Sequence, residues 1–148
     1  MRESPFRCVN VDHMHSDKTD IDTITNTFFG AFTNGGGAPA NIDALYRLFL
    51  PQCVIVGIGA GAAKVYDLAG FVEPRRALLS DGTMTGFREE EISQETAIFG
   101  NIARRTSRYR KAWMASGLPQ TGSGVKSLEF VRMPEGWKIA ALLWEDDG

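Results

Sequence analysis

The chain has 148 residues, 43% of them hydrophobic and 23% charged, with a formal net charge of −2. That length suits one domain able to bury roughly 70% of its unfolded surface without disulfides or metal. The near-neutral charge offers no basic footprint for nucleic acid, and no apolar run reaches the length that spans a bilayer.

Met1-Arg2-Glu3-Ser4-Pro5 lacks the charged-then-apolar layout of a secretion signal. Cys8 and Cys53 lie far apart, which fits a reducing, cytoplasmic setting. Cys53 sits in an apolar run and reads as a small core residue. Residues 1–18 are polar and aperiodic and read as an N-terminal arm. The arm holds both histidines, in Asp12-His13-Met14-His15, a poor metal site, so no metal and no cofactor is expected.

Thr19 is expected to open a helix, with Asp22 three positions on completing a capping box. Ile21, Ile24, Phe28 and Phe32 then share one helical face, and Asn34 with three glycines ends it. Asn41 should cap a shorter helix carrying Ile42, Leu45, Leu48 and Phe49, stopped by Pro51. Residues 53–58 form a β-branched strand. Asp67 caps a third helix with Leu68, Phe71 and Leu78 apolar, which Pro74 should kink or restart. Arg75 and Arg76 follow; a solvated helix face accounts for both, with the cavity mouth as the alternative for one of them.

From Phe87 the period changes to that of strands. A hairpin turning at Gly100-Asn101 places Ile98 opposite Ala103, Thr96 opposite Arg105, Gln94 opposite Ser107 and Ile92 opposite Tyr109. The same register sets Glu91 against Arg110 and Glu90 against Lys111. Residues 114–124 read as a Gly/Ser-rich loop. A second hairpin, turning near Pro134-Glu135-Gly136, pairs Leu128 with Leu143, Phe130 with Ala141 and Lys126 with Glu145.

This order of elements, with Ile98-Phe99-Gly100-Asn101-Ile102-Ala103 at the first hairpin corner and Gly136-Trp137-Lys138-Ile139 entering the last strand, resembles the nuclear-transport-factor-2-like superfamily over residues 19–146, and its SnoaL-like branch most. The resemblance implies an α+β fold: a cone-shaped half-barrel of curved antiparallel sheet with about three helices over its concave face, enclosing an apolar cavity. It also implies a homodimer joined through the sheet. Fold does not carry function, because such scaffolds host isomerases, dehydratases, cyclases and binding modules. The ketosteroid isomerase pattern needs a carboxylate where this chain has Val56-Gly57-Ile58, and the scytalone dehydratase pattern needs cavity histidines. Neither transfers.

The resemblance implies that Trp137, Ile139, Ala141, Leu143 and Glu145 face the cavity, with Lys126 as the partner of Glu145 and with Leu142 and Trp144 pointing away. Ile92 and Ile98 facing inward would bring Gln94, Thr96, Arg105, Ser107 and Tyr109 with them as a polar floor for a small apolar or weakly anionic ligand. Phe28, Phe32 and Phe71 would line the apolar part. If the site is catalytic, Glu145 is the candidate base and Tyr109 or Arg105 the oxyanion partner, in proton transfer or cyclisation of a carbonyl compound. The plainer reading is that Arg105 and Glu145 satisfy each other or reach solvent and the aromatics are core. A non-catalytic homodimeric interaction module is the alternative function, favoured if the cone is filled. A dinucleotide fingerprint at Gly57-Ile58-Gly59-Ala60-Gly61-Ala62 fails, because everything downstream reads as antiparallel hairpins.

Overall fold

The computed structural model describes residues 11–148, with side chains from residue 16 onward. Three helices, α1 (Val11–Gly30), α2 (Ala44–Leu48) and α3 (Leu68–Ser80), accompany a curved, unclosed sheet of six strands. The strands are β1 (Phe49–Gly59), β2 (Ala62–Tyr66), β3 (Thr85–Phe99), β4 (Ile102–Ala115), β5 (Leu118–Met133) and β6 (Gly136–Asp146). They lie in the order β2-β1-β6-β5-β4-β3, with β1 and β6 parallel and every other pair antiparallel. The α+β architecture expected from the sequence is the one observed.

Helix α1 begins at Val11, so Thr19 lies inside it rather than at its start. Asp22 is therefore not a capping residue: it accepts from Lys18 at 2.7 Å and from Arg105 at 2.6 Å. The buried face of α1 carries Ile21, Thr25 and Phe28, with Phe32 buried just beyond its end, and the Thr25 hydroxyl returns to the Ile21 carbonyl, so its burial leaves nothing unsatisfied. Asp17 ties this face to the sheet by accepting from Arg132 at 2.6 Å and from the Trp137 indole at 3.2 Å. The side chains of residues 12–15, with both histidines, lie outside the described residues, as does Cys8.

Helix α1 stops at Gly30, and Asn34 serves a different purpose from ending it. Its amide donates to the carbonyls of Leu79 and Met84, both at 2.8 Å, and its Oδ1 accepts from the Phe87 amide at 2.7 Å. One side chain thus joins the end of α3 to the start of β3. Asn34→Ala strands three backbone groups in a partly buried place and should destabilise the fold by about 2 kcal/mol in urea titration. A loss under about 0.5 kcal/mol would mean that water replaces the clamp.

Helix α2 is only Ala44–Leu48, and Phe49 and Pro51 already belong to β1. The glycines after residue 56 do not form a phosphate-binding turn into a helix: Ala60 and Gly61, both at positive φ, close a hairpin in which Gly59 faces Ala62. Asp67 does cap α3, accepting from the Gly70 amide at 2.7 Å, and the helix runs through Pro74.

The β3–β4 hairpin keeps the expected pairs from Ile98–Ala103 to Gln94–Ser107. A bulge between Glu91 and Ser93 then adds a residue, so Glu91 faces Tyr109, Glu90 faces Arg110 and Glu89 faces Lys111. The bulge leaves Ile92 54% exposed and turns Glu91 and Glu89 inward. The stretch read as a loop over residues 114–124 is strand on both sides of a tight turn at Ser116-Gly117, with Ala115 facing Leu118. The last hairpin is shifted from expectation, by two next to its turn and by one beyond a second bulge whose extra residue is Ala140: Phe130 faces Ile139, Leu128 faces Leu142 and Lys126 faces Trp144. Leu142 and Trp144 therefore point into the cone, and Ala141, Leu143 and Glu145 away from it.

Candidate functional site

The cone is filled at one end and open at the other. Beneath α1, Phe28 and Phe49 are fully buried, and Arg105 is only 3% exposed. Arg105 is held there by Glu91 at 2.6 and 3.0 Å, Asp22 at 2.6 Å and Thr96 at 3.2 Å, and Ser107 donates to the same Glu91 carboxylate at 2.5 Å. Burial works against the charge on Arg105, but Glu91 and Asp22 outweigh it and raise its pKa. These groups satisfy one another, with Asp22 at the partly exposed edge, and none of them lines the cavity at the other end of the cone.

Beneath α3 the cone opens into a cavity of about 730 Å³. Phe32, Tyr66, Phe71, Phe87 and Trp144 give it aromatic walls, and Leu78, Leu79 and Met84 add aliphatic surface. Tyr66 and Trp144 stack at 5.9 Å and 19°, with Phe71 tilted against Trp144 at 5.6 Å. Trp144 can lie there because Gly57, directly opposite on β1, has no side chain; a Cβ would collide with the indole.

Four cations line this cavity, Lys64, Arg75, Lys111 and Lys126, against two carboxylates, Asp67 and Glu89. Asp67 is already engaged as the cap of α3. Arg75 turns into the cavity while Arg76 stays outside with Asp43 and Glu73. The Arg75 guanidinium lies 4.0 Å from the Phe71 ring centre and 5.4 Å from those of Tyr66 and Trp144, and donates to the Phe71 carbonyl at 2.9 Å. Burial pulls its pKa below the usual arginine value, against the opposing pull of Tyr66, Glu89 and Asp146, and it forms no direct ion pair with a carboxylate among the described residues.

Lys126 and Glu89 form an ion pair at 3.0 Å with side chains only 8% and 6% exposed. The Lys126 amine also sits 4.2 Å from the Tyr109 ring centre and 5.4 Å from that of Trp144. Desolvation lowers its pKa, Glu89 opposes this, and Lys111 adds to it. Beside this pair the Tyr109 hydroxyl donates to Asp146, which also accepts from Lys111 at 3.2 Å. Burial and the Asp146 carboxylate push the Tyr109 pKa well up, so the phenol stays protonated. Gly124, facing Tyr109, and Gly122, facing Lys111, leave room for those side chains.

Of the residues singled out from the sequence, Phe32 and Phe71 line the cavity. Phe28 is core, Gln94 is exposed and bonded to Thr96, and Thr96 and Ser107 belong to the Arg105 network. Glu145 is exposed on the outer face, opposite Val125 and not Lys126, because the β6 bulge changes which residues point inward. Tyr109 lies behind the cavity lining, engaged with Asp146. Lys111, Lys126, Glu89 and Asp146 are polar groups that the sequence reading left out or placed elsewhere, and Arg75 takes the cavity position that was the alternative for one of the two arginines. Strand glycines opposite large residues were the signal for some of them. Among the described residues no group of three His, Cys, Asp or Glu side chains could hold a metal, and no helix is long and apolar enough to cross a membrane.

No protein-family model matches the sequence, and no curated protein does. Solved structures do match the fold. The chain is similar to a nuclear transport factor 2 (NTF2-like) superfamily protein from Salmonella enterica serovar Typhimurium, with a TM-score of 0.75 and 14% identity over 91% of this chain and 94% of that one. A proposed aromatic ring hydroxylase from Novosphingobium aromaticivorans aligns with a TM-score of 0.72 and 19% identity over 88% and 89% of the two chains. An NTF2-like protein with a cystatin-like fold from the same organism aligns with a TM-score of 0.68 and 16% identity over 92% and 89%. Likeness at these identities establishes the fold, the NTF2-like cone, and leaves function to the site.

Proposed function

We propose that the protein binds a small aromatic or similarly apolar carboxylate in the cavity beneath α3. The observation that carries this reading is Arg75, a guanidinium that lines an aromatic-walled cavity and forms no direct ion pair among the described residues, with Glu89 and Asp146 acting on it only from a distance. A half-buried cation of this kind is stabilised when an anion completes it. The ring walls supply dispersion and area for a flat apolar body, and Lys111 adds a second positive charge. A cavity of about 730 Å³ lies within the ordinary range for small-ligand sites. Glu145 lies on the outer face, away from this cavity; of the two carboxylates that line it, Asp67 caps α3 and Glu89 is the one left facing the ligand space.

The same reading has two copies of the chain pair through the outer face of the sheet. Support comes from Val54, Val56, Ala141 and Leu143, adjacent on that face, with Val54 and Leu143 52% and 44% exposed. Native mass spectrometry reads pairing and any retained ligand together.

Titration with 2-naphthoate, followed by tryptophan fluorescence, tests the binding. It should quench Trp144 saturably, and Arg75→Gln should weaken affinity by roughly 10- to 100-fold, the worth of one charge-assisted hydrogen bond. The uncharged 2-naphthol should bind wild type and variant alike. Equal naphthoate affinity in both proteins would remove the anion from the reading.

A further inference from the structure

We propose that Lys126 is a nucleophilic amine that forms an imine with an aldehyde or ketone seated in the cavity, with Glu89 carrying the protons. This rests on the cavity being a ligand site and narrows the ligand to a carbonyl acid.

The placement of Lys126 differs from that of the other cavity lysines. Lys64 is exposed, and Lys111 is engaged by Asp146. Lys126 lines the cavity with its side chain 8% exposed, and its single ion-pair partner among the described residues is Glu89. The amine also lies against the ring faces of Tyr109, Trp144 and Phe28, at 4.2, 5.4 and 5.8 Å. Stability does not require such a pair, since a buried ion pair commonly does no better than apolar residues of the same volume. Its position on a cavity wall is where a desolvated amine becomes a nucleophile, the more so with a second cation, Lys111, nearby.

The step balances within these residues. Glu89 takes a proton from the Lys126 ammonium, leaving a neutral amine and a carboxylic acid. The nitrogen lone pair attacks the carbonyl carbon, and the C–N bond forms as the C=O π pair moves to oxygen. That oxygen takes the proton from Glu89, and Glu89 recovers one from nitrogen to give the carbinolamine. Glu89 then protonates the hydroxyl, which leaves as water while the nitrogen lone pair forms C=N. The products are the protonated imine, a Glu89 carboxylate and one water. Arg75 remains available for the ligand's carboxylate.

The test uses wild-type protein with 4-carboxybenzaldehyde and sodium cyanoborohydride near neutral pH, which reduces an imine to a stable amine, followed by peptide mapping. The reduced adduct is expected on Lys126 ahead of Lys18, Lys64, Lys111 and Lys138, and excess 2-naphthoate should suppress it. Glu89→Gln should slow the labelling of Lys126 by about 100-fold, the scale of a lost acid–base group. Adducts confined to the other lysines, with 2-naphthoate still binding, would overturn the imine and leave the binding reading intact. Absence of both naphthoate binding and Lys126 labelling would overturn both. Labelling of Lys126 without competition by naphthoate would keep the amine chemistry and remove the carboxylate site.

Discussion

Lys126→Met is expected to lower the stability of the fold by about 3–5 kcal/mol, because it leaves the Glu89 carboxylate buried without its cation. Methionine approximates the apolar stem and can lie against the Tyr109 and Trp144 rings, so the change isolates charge from volume. The loss is read from urea unfolding at neutral pH, with the slope of the transition checked to remain constant. The double variant Lys126→Met with Glu89→Gln should recover most of the stability, since the strained charge is then gone, and the cycle gives the coupling of the pair. A single-variant loss below about 1 kcal/mol would show that cavity water solvates Glu89. The ion pair would then be an exposed one in effect, and the case for a desolvated amine at Lys126 would weaken with it.

How much of this site was legible depends on two bulges and a handful of glycines. Near the Gly100-Asn101 turn the pairs from Ile98–Ala103 to Gln94–Ser107 follow from turn chemistry and alternation alone. Farther from the turn the same alternation misleads. The extra residue at Ile92 reverses the faces, turning Glu91 and Glu89 inward and Ile92 out. An isoleucine at a bulge looks in sequence like any other inward strand residue, so the pattern has no means of announcing the reversal. The bulge at Ala140 acts likewise on β6, exchanging Leu143 and Glu145 for Leu142 and Trp144. With it the candidate base moves outside.

The glycines carried the opposite lesson. Residues 114–124 resemble a loop in composition, yet Gly122 and Gly124 are strand residues that make space for Lys111 and Tyr109 across the sheet. Gly57 does so for Trp144 on the parallel neighbour. Glycine opposite a bulky side chain marks an inward-facing crowd, and two of the three side chains admitted here, Trp144 and Lys111, line the cavity. Recognising that relation needs the register first, which one sequence does not supply here. Arg75 was legible only as one of two arginines on a helix, since the side that meets the cavity depends on how α3 lies across the sheet.

Arg105 gives the second large expected effect, and one that separates a structural charge from a ligand-facing one. Its guanidinium is 3% exposed and donates to Glu91, Asp22 and Thr96, joining β4 to β3 and to α1. Arg105→Leu leaves Glu91 and Ser107 in the closed end of the cone without the cation that balances them. It should destabilise the protein by about 3 kcal/mol, from the range for breaking a buried pair and allowing for the partial exposure of Asp22. Its affinity for 2-naphthoate, measured below the unfolding transition, should stay within about 2-fold of wild type, because Arg105 is not among the residues that line the cavity. Glu91→Gln should show the same signature in milder form, losing stability and keeping affinity. Weakened binding with stability unchanged would invert the assignment, placing the anion beneath α1 and making Arg105 its partner. The paired measurement therefore decides which end of the cone is for holding the fold together and which for holding a ligand.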